Sequence, residues 1–403
     1  MTAALDKLAQ RFVPTIDRVA ALEHNGKRRQ SFVEYHVEPK TVHTMLNGKR
    51  CLMMSGYSYL GLNGDARVSA AAQRAIDCYG TGSHGVRALA GSIALHRELE
   101  AAVAHMANRE AAIVFGSGYA ANVGTTGALV GPGDTVFLDK IDHASIVDGC
   151  QLSGAELVRF RHNDPAHLEA RLQKSTTDGL RLVIVDSVYS MDGDVAPLPE
   201  LRAVCDRNNA LLMVDEAHAL GVIGQEGRGI EDHFGWSTGV DIKLGTLSKA
   251  IPSVGGWVAG SEELIAHLRY RARPFVFSAA LPPAQAAAAL ESIRILETEP
   301  WRVTQTQDSA RRFRSILTSR GMNTGDSETA IVPLIVGSDE QAYAYSQACA
   351  DRGVIGLPVV SPAVPNGASR LRIAITAAHR ESDIDTALEV FLDAAVACDL
   401  LRV

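Results

Sequence analysis

A mostly parallel β-sheet covered by helices, followed by a smaller α+β domain, is the architecture this sequence predicts. Three observations predict it. From about residue 60 to about residue 260, short apolar runs bounded by Gly, Asp or Ser alternate with helical stretches, the texture of strands buried on both faces. Beyond Pro282-Pro283 that alternation gives way to a long helix and then to a mixture of strands and helices. A chain of 403 residues is also too long for one small core and suits one large domain plus a smaller one.

Residues 1–55 read as an N-terminal arm. The start, MTAALDKLAQRFVPTIDRVA, has helical periodicity and lacks a charged end followed by an apolar block, so no secretory leader is expected. Polar segments and a short strand at Cys51–Met54 complete the arm. The large domain, 56–285, holds the runs AAIVF (111–115), TVFLD (135–139), LRLVIVD (180–186), ALLMVD (210–215) and GWVAG (256–260), each read as a buried strand. The small domain, 286–403, is entered through the helix AQAAAALESIRILETE. Next, SARRFRSILTSRG sets Phe313, Ile316 and Leu317 on one helical face, with Gly321 as the stop. Strands follow at AIVPLIV and SRLRIAIT. A last helix has Ser382 as its expected cap and Ile384, Leu388, Phe391, Leu392 and Ala395 on its apolar side.

Composition narrows the function class. With 46% hydrophobic and 21% charged residues the chain reads as a soluble globular protein, and no apolar run reaches the ~18 residues of a membrane span. A cytoplasmic location is the expectation. The net charge of −7 argues against a nucleic-acid surface, and the basic run Lys27-Arg28-Arg29 reads as a solvated face. Six cysteines scattered without CxxC pairs read as reduced thiols, with neither a disulfide frame nor a metal site.

The residues that carry chemistry cluster at strand ends. Lys249 stands in GTLSKA, between hydroxyls that could hold a phosphate and glycines that let a flat cofactor approach. An ordinary loop lysine is the plain alternative. Asp215 ends ALLMVD with His218 shortly after it, and ligands of open α/β sheets bind at that edge. A buried carboxylate needs a cationic partner, and the ring nitrogen of pyridoxal phosphate is one. Against this stands a structural salt bridge. The turn Gly116-Ser117-Gly118-Tyr119 joins a strand to a helix and offers N–H groups to a phosphate. Its spacing fits neither a P-loop nor a dinucleotide fingerprint. His143 in DHAS could stack on the ring, and Ser190 in YSMDGD ends a further strand. Either Arg370 or Arg372 could clamp a substrate carboxylate, and strand alternation does not choose between them.

Taken with YLGL (59–62), YGTGSHGVRALAG (79–91), His96 with Leu99-Glu100, SGYAAN and SAALPP, these motifs run in one order from about Tyr59 to about Ala395. In that order the chain resembles the α-oxoamine synthases, a fold-type-I group of pyridoxal-phosphate enzymes. The resemblance implies an acyltransferase that condenses an amino acid with an acyl thioester, carried by coenzyme A or a carrier protein, and releases carbon dioxide and an α-amino ketone. It implies that Lys249 carries the cofactor as a Schiff base and moves the Cα proton. Asp215 then pairs with the ring nitrogen, His218 with the phenolic oxygen, and His143 stacks on the ring near Ser190. Ser117, Gly118, Tyr119 and Thr246 hold the phosphate, and Arg372 takes the substrate carboxylate. Relatives are homodimers with a shared active site, so Ser278 is expected to reach the phosphate from the partner.

Four departures bear on the substrate. Tyr57 stands where small-acid and biotin-pathway relatives often carry Asn and looks more like the serine palmitoyltransferase pattern. Val86 replaces a frequent Thr or Ser, which removes one polar substrate contact. Asp186 replaces a usual Glu, and Ala279 a frequent hydroxyl. Together they imply a specialised member. Two rivals are a pyridoxal-phosphate aminotransferase, which would need no thioester, and a non-catalytic subunit of a synthase heterodimer, which would be expected to lack the lysine.

Overall fold

The computed structural model describes residues 4–5, 7–13, 33–38 and 40–401. Residues 7–13 are helical, while the rest of the expected first helix beyond them and the Lys27–Arg29 run lie outside the described residues. Strands β1 (His36–Val37), β2 (His43–Leu46) and β3 (Lys49–Met53) pair antiparallel in succession. Near the other end of the sequence, β12 (Val354–Ile355) adds to β3 in parallel. Leu52 and Met54 share a core with Phe313, Ile373 and Phe391, so the arm is packed onto the C-terminal part of the chain.

The central sheet has seven strands in the order β4-β10-β9-β8-β7-β5-β6. They are β4 (Ala111–Phe115), β5 (Thr135–Asp139), β6 (Glu156–Phe160), β7 (Arg181–Asp186), β8 (Leu211–Asp215), β9 (Ile242–Thr246) and β10 (Gly256–Gly260). Only β10 runs antiparallel to its neighbours. Alternation along β7 shows why the strands are apolar throughout. Val183 and Val185 enter the core on one face, and Leu182 and Ile184 enter the core on the other. Register then sets the site. Asp186 lies opposite Asp215, and Phe115, Gly256 and Thr246 form a row at the same edge.

Two of these strands were not marked in the sequence. Strand β6 is a sheet edge with exposed Glu156 and Arg159, so it lacks the apolar run. Strand β9 carries Lys243 in its middle, 2% exposed and 3.4 Å from Glu216 and 3.3 Å from Glu231. Two carboxylates make that burial tolerable.

Helices Pro283–Thr298 and Trp301–Ser319 lead to a three-stranded sheet of β11 (Ile331–Gly337), β14 (Ser369–Ala374) and β13 (Leu357–Val359), in the order β11-β14-β13. Between β11 and β12 lies a helix, Asp339–Asp351, that was not anticipated. Ser338 Oγ accepts from Gln341 N and Gln341 Oε1 accepts from Ser338 N, a capping box. The last helix, Glu381–Ala397, corrects one expectation. Ser382 sits inside its first turn, and the Asp383 carboxylate reaches back to the N–H of Arg380 at 2.9 Å. Among the described residues, no helix is long and apolar enough to cross a membrane, and no group of three or more His, Cys, Asp or Glu is placed to hold a metal.

Candidate active site

Turns leaving β4, β5, β7, β8 and β9 converge on a cavity of about 270 Å³ lined by Ser117, Gly118, Tyr119, Asn122, His143, Ser145, Asp186, Ser190, Asp215, Ala217, His218, Thr246, Ser248 and Lys249. Nine of the site residues expected from the sequence are in this set: Lys249, His143, Asp215 and His218, with Ser117, Gly118, Tyr119, Ser190 and Thr246; Arg372 adjoins them by its bond to the Ser190 carbonyl. Tyr57 stands beside it, with the Arg372 guanidinium 4.8 Å and the Lys249 amine 5.9 Å from its ring centre.

Asp215 is 4% exposed. Its carboxylate accepts from Asn122 Nδ2 at 2.8 Å and from Ala217 N at 2.9 Å, and it forms no salt bridge among the described residues. Asn122 also donates to Ser145 Oγ at 2.9 Å, which lies 2.8 Å from His143 Nδ1. This links the carboxylate to the ring expected above the cofactor. Tyr59, Asn122 and Ser145 belong to the motifs YLGL, SGYAAN and DHAS, in which local sequence assigns them no role. Only the tertiary contacts reveal them.

At the opposite side, the Lys249 amine is 2.8 Å from His218 Nε2, and His218 Nδ1 is 2.8 Å from the Tyr59 hydroxyl. Arg372 donates to that hydroxyl at 3.2 Å and to the Ser190 carbonyl at 2.5 Å. The two arginines left open by strand alternation now differ. Arg370 is paired with Asp192 at 2.6 Å, whereas Arg372, 4% exposed, has no carboxylate partner among the described residues. An unmatched buried guanidinium is costly without an anion, so Arg372 is the one suited to a substrate carboxylate.

The phosphate end is a helix N-terminus. Ser117 caps helix Gly118–Leu129 by accepting from Ala120 N at 3.0 Å, and the N–H groups of Gly118 and Tyr119 have no partner among the described residues. A Cβ on Gly118 would stand 3.1 Å from Thr246, so glycine lets this turn close against β9. Tyr119 offers only its backbone here, because its hydroxyl donates to Asp148 at 2.5 Å. Free N–H groups for an anion, an unpaired carboxylate and an amine in one narrow cavity match the phosphate, ring nitrogen and aldehyde of pyridoxal phosphate.

Two expected residues lie elsewhere. Val86 and Ser278 do not line this cavity. Val86 bridges Ala279, Ala280 N donates to the Gly85 carbonyl at 3.0 Å, and the neighbouring Leu89 and Phe277 are 84% and 71% exposed.

Burial and charge set the titration. Burial lowers the Lys249 pKa to about 8, with Asp215 and Asp186 opposing and Arg372 assisting. Burial also holds His143 below and His218 well below the ordinary imidazole range, so both are neutral at pH 7. Asp186 is pushed well up, by burial first and by Asp215 next. In the cofactor-free protein, acetylation of Lys249 followed across pH by mass spectrometry is therefore expected to be half-maximal near pH 8, below the surface lysines. Asp215→Asn should lower that midpoint, because it removes a charge that favours the ammonium. A midpoint shared with the surface lysines would refute the desolvated environment.

Residues 49–391 match the aminotransferase class I and II family. The 8-amino-7-oxononanoate synthase of Thermoanaerobacter pseudethanolicus is 43% identical over 355 residues, 88% of this chain and 90% of that relative. The enzyme of the same name from Anaeromyxobacter dehalogenans is 45% identical over 355 residues, 88% of each. Among solved structures, a serine palmitoyltransferase variant from S. paucimobilis with bound pyridoxal phosphate and myriocin superimposes with a TM-score of 0.95 at 35% identity, over 98% of this chain and 100% of that one. The Sphingomonas wittichii serine palmitoyltransferase gives 0.94 at 35% identity, over 97% and 99%. With near-complete coverage in both directions, the chain belongs to the aminotransferase class I and II family and, within it, to the α-oxoamine synthases.

Proposed function

We propose that this protein condenses an amino acid with an acyl thioester on pyridoxal phosphate, releasing carbon dioxide and an α-amino ketone. One observation carries the reading: a desolvated lysine shares a cavity with a carboxylate that lacks a cation, beside an arginine that lacks an anion. When bound, the cofactor supplies an electron sink for the bond broken at Cα. Asp215, oriented by Asn122, would hold a protonated ring nitrogen. His143, held by Ser145, would lie against the cofactor ring, while Ser117, Gly118, Tyr119 and Thr246 would hold its phosphate. Arg372 binds the substrate carboxylate and so presents Cα to Lys249, whose lowered pKa lets it accept a proton near neutral pH. His218, neutral and tied to Tyr59, would be the donor to the cofactor's phenolic oxygen.

The thioester has an obvious neighbouring space. A second cavity, of about 530 Å³, shares Ser248 and Lys249 with the first and runs past Tyr57 and Met53 to Val37, Val42 and Leu357. Its apolar walls suit an acyl chain, and the N-terminal strands supply much of them.

The site is proposed to be completed in a homodimer. Val86 and Ser278 lie on one tied pair of loops at an exposed apolar edge, so both would enter the partner's cavity together.

The test is to incubate the holoenzyme with glycine, L-alanine or L-serine and acyl thioesters of graded length, measuring carbon dioxide, free thiol and amino ketone. All three products should appear together for a productive pair. Amino-group transfer without carbon dioxide would favour the aminotransferase reading, and no carbon dioxide with any pair would defeat the proposal.

A further inference from the structure

Outside the cavity, His162 lies between two carboxylates. Its Nδ1 is 3.1 Å from Asp139 Oδ1 and its Nε2 is 2.7 Å from Asp194 Oδ2. The ring meets Tyr189 edge-on at 4.4 Å between centres. Burial opposes the charge on this imidazole, yet the bonds to the two aspartates outweigh it and hold its pKa up at about 10. At neutral pH the residue is therefore a cation clasping the end of β5 to Asp194.

Asp194 closes a turn. Tyr189 N donates to the Asp194 carbonyl at 3.1 Å and Gly193 N to the Tyr189 carbonyl at 2.8 Å, while Asn163 Nδ2 adds a bond to the Asp194 carboxylate at 2.8 Å. From the far side the same turn meets the small sheet. Its Ser190 carbonyl receives Arg372, and its Met191 carbonyl and Asp192 receive Arg370 at 3.1 and 2.6 Å. Gly193 adopts a φ of +75° and a Cβ there would fall 2.2 Å from the Ile331 carbonyl. The turn is wedged between β11 and the clasp and has little freedom of its own.

We propose that His162 is a positioning residue for the substrate carboxylate: by gripping Asp139 and Asp194 it fixes the turn whose Ser190 carbonyl aims the Arg372 guanidinium. The inference rests on the assignment of Arg372 as carboxylate receptor. It predicts a defect confined to one part of the substrate, because His162 touches neither cavity.

Spectral titration of the holoenzyme at equilibrium, with glycine, L-alanine and L-serine and with their methyl esters, reads this directly. Wild type should prefer acid to ester, and Arg372→Lys should lose most of that preference. His162→Ala is expected to reduce it about 10-fold, the scale of one charge-assisted hydrogen bond, with ester affinity within about two-fold of wild type. Asp194→Asn, which breaks the same clasp from the other side in an isosteric residue, should do likewise and serves if His162→Ala fails to fold. Equal weakening of acid and ester, or an undiminished preference in the folded variants, would overturn the proposal. If wild type itself shows no preference, the fault lies with the Arg372 assignment, and the clasp proposal falls with it.

Discussion

Lys249→Ala is expected to lower turnover by at least about 10,000-fold, since it removes covalent tether and proton acceptor at once. The Schiff-base absorption of the holoenzyme should vanish with it. No neighbour can take over. His218 is the nearest base, 2.8 Å from the amine, but burial holds its pKa well below that of an ordinary imidazole. The fold should survive, because among the described residues the amine makes one polar contact and no ion pair. A melting temperature within about 2 °C of wild type, the shift from roughly 1–2 kcal/mol in a chain this size, is the check. Normal turnover by this variant would mean that the lysine is misassigned.

The next largest effect is expected from Asp215→Asn. The amide keeps the shape and can still accept from Ala217 N, but it cannot hold a protonated ring nitrogen. Removing one partner of a buried ion pair costs about 3–5 kcal/mol, which is roughly 100- to 5,000-fold in rate. The loss should appear already in exchange of the amino-acid Cα proton with deuterated water, measured without thioester. Unchanged exchange would show that Asp215 does not serve the ring. Cofactor retention should persist, since the groups offered to the phosphate at Ser117, Gly118 and Tyr119 are untouched.

Local pattern was informative where one residue's neighbours in sequence are also its neighbours in space. Strands β4, β5, β7, β8 and β10 are apolar because both faces of the sheet are covered, and that requirement is written in each run. Asp215 closes one of those runs and the turn that carries His143 follows another directly, while Lys249 lies in the turn just before the run of β10. Legibility ended at long-range pairing. Strand β9 looks too polar to be buried until Glu216 and Glu231 are seen beside Lys243. Tyr59 has no visible purpose until Arg372, 313 positions away, meets its hydroxyl. The choice between Arg370 and Arg372 depended likewise on Asp192, which only the packing of the small sheet against the turn supplies.

Lys243 has a further consequence. Side chains alternate across a strand, so a slip of β9 by one place would turn this ammonium into the apolar layer around Leu244 and leave Glu216 without a cation among the described residues, while Glu231 would keep only Arg109 at 2.7 Å. An ammonium and a carboxylate left unpaired in a dry interior are a heavy penalty that no other register repays. The ion cluster thus acts as a ratchet that admits a single alignment of β9, and every residue downstream of it, the reactive amine included, inherits its placement from that electrostatic key.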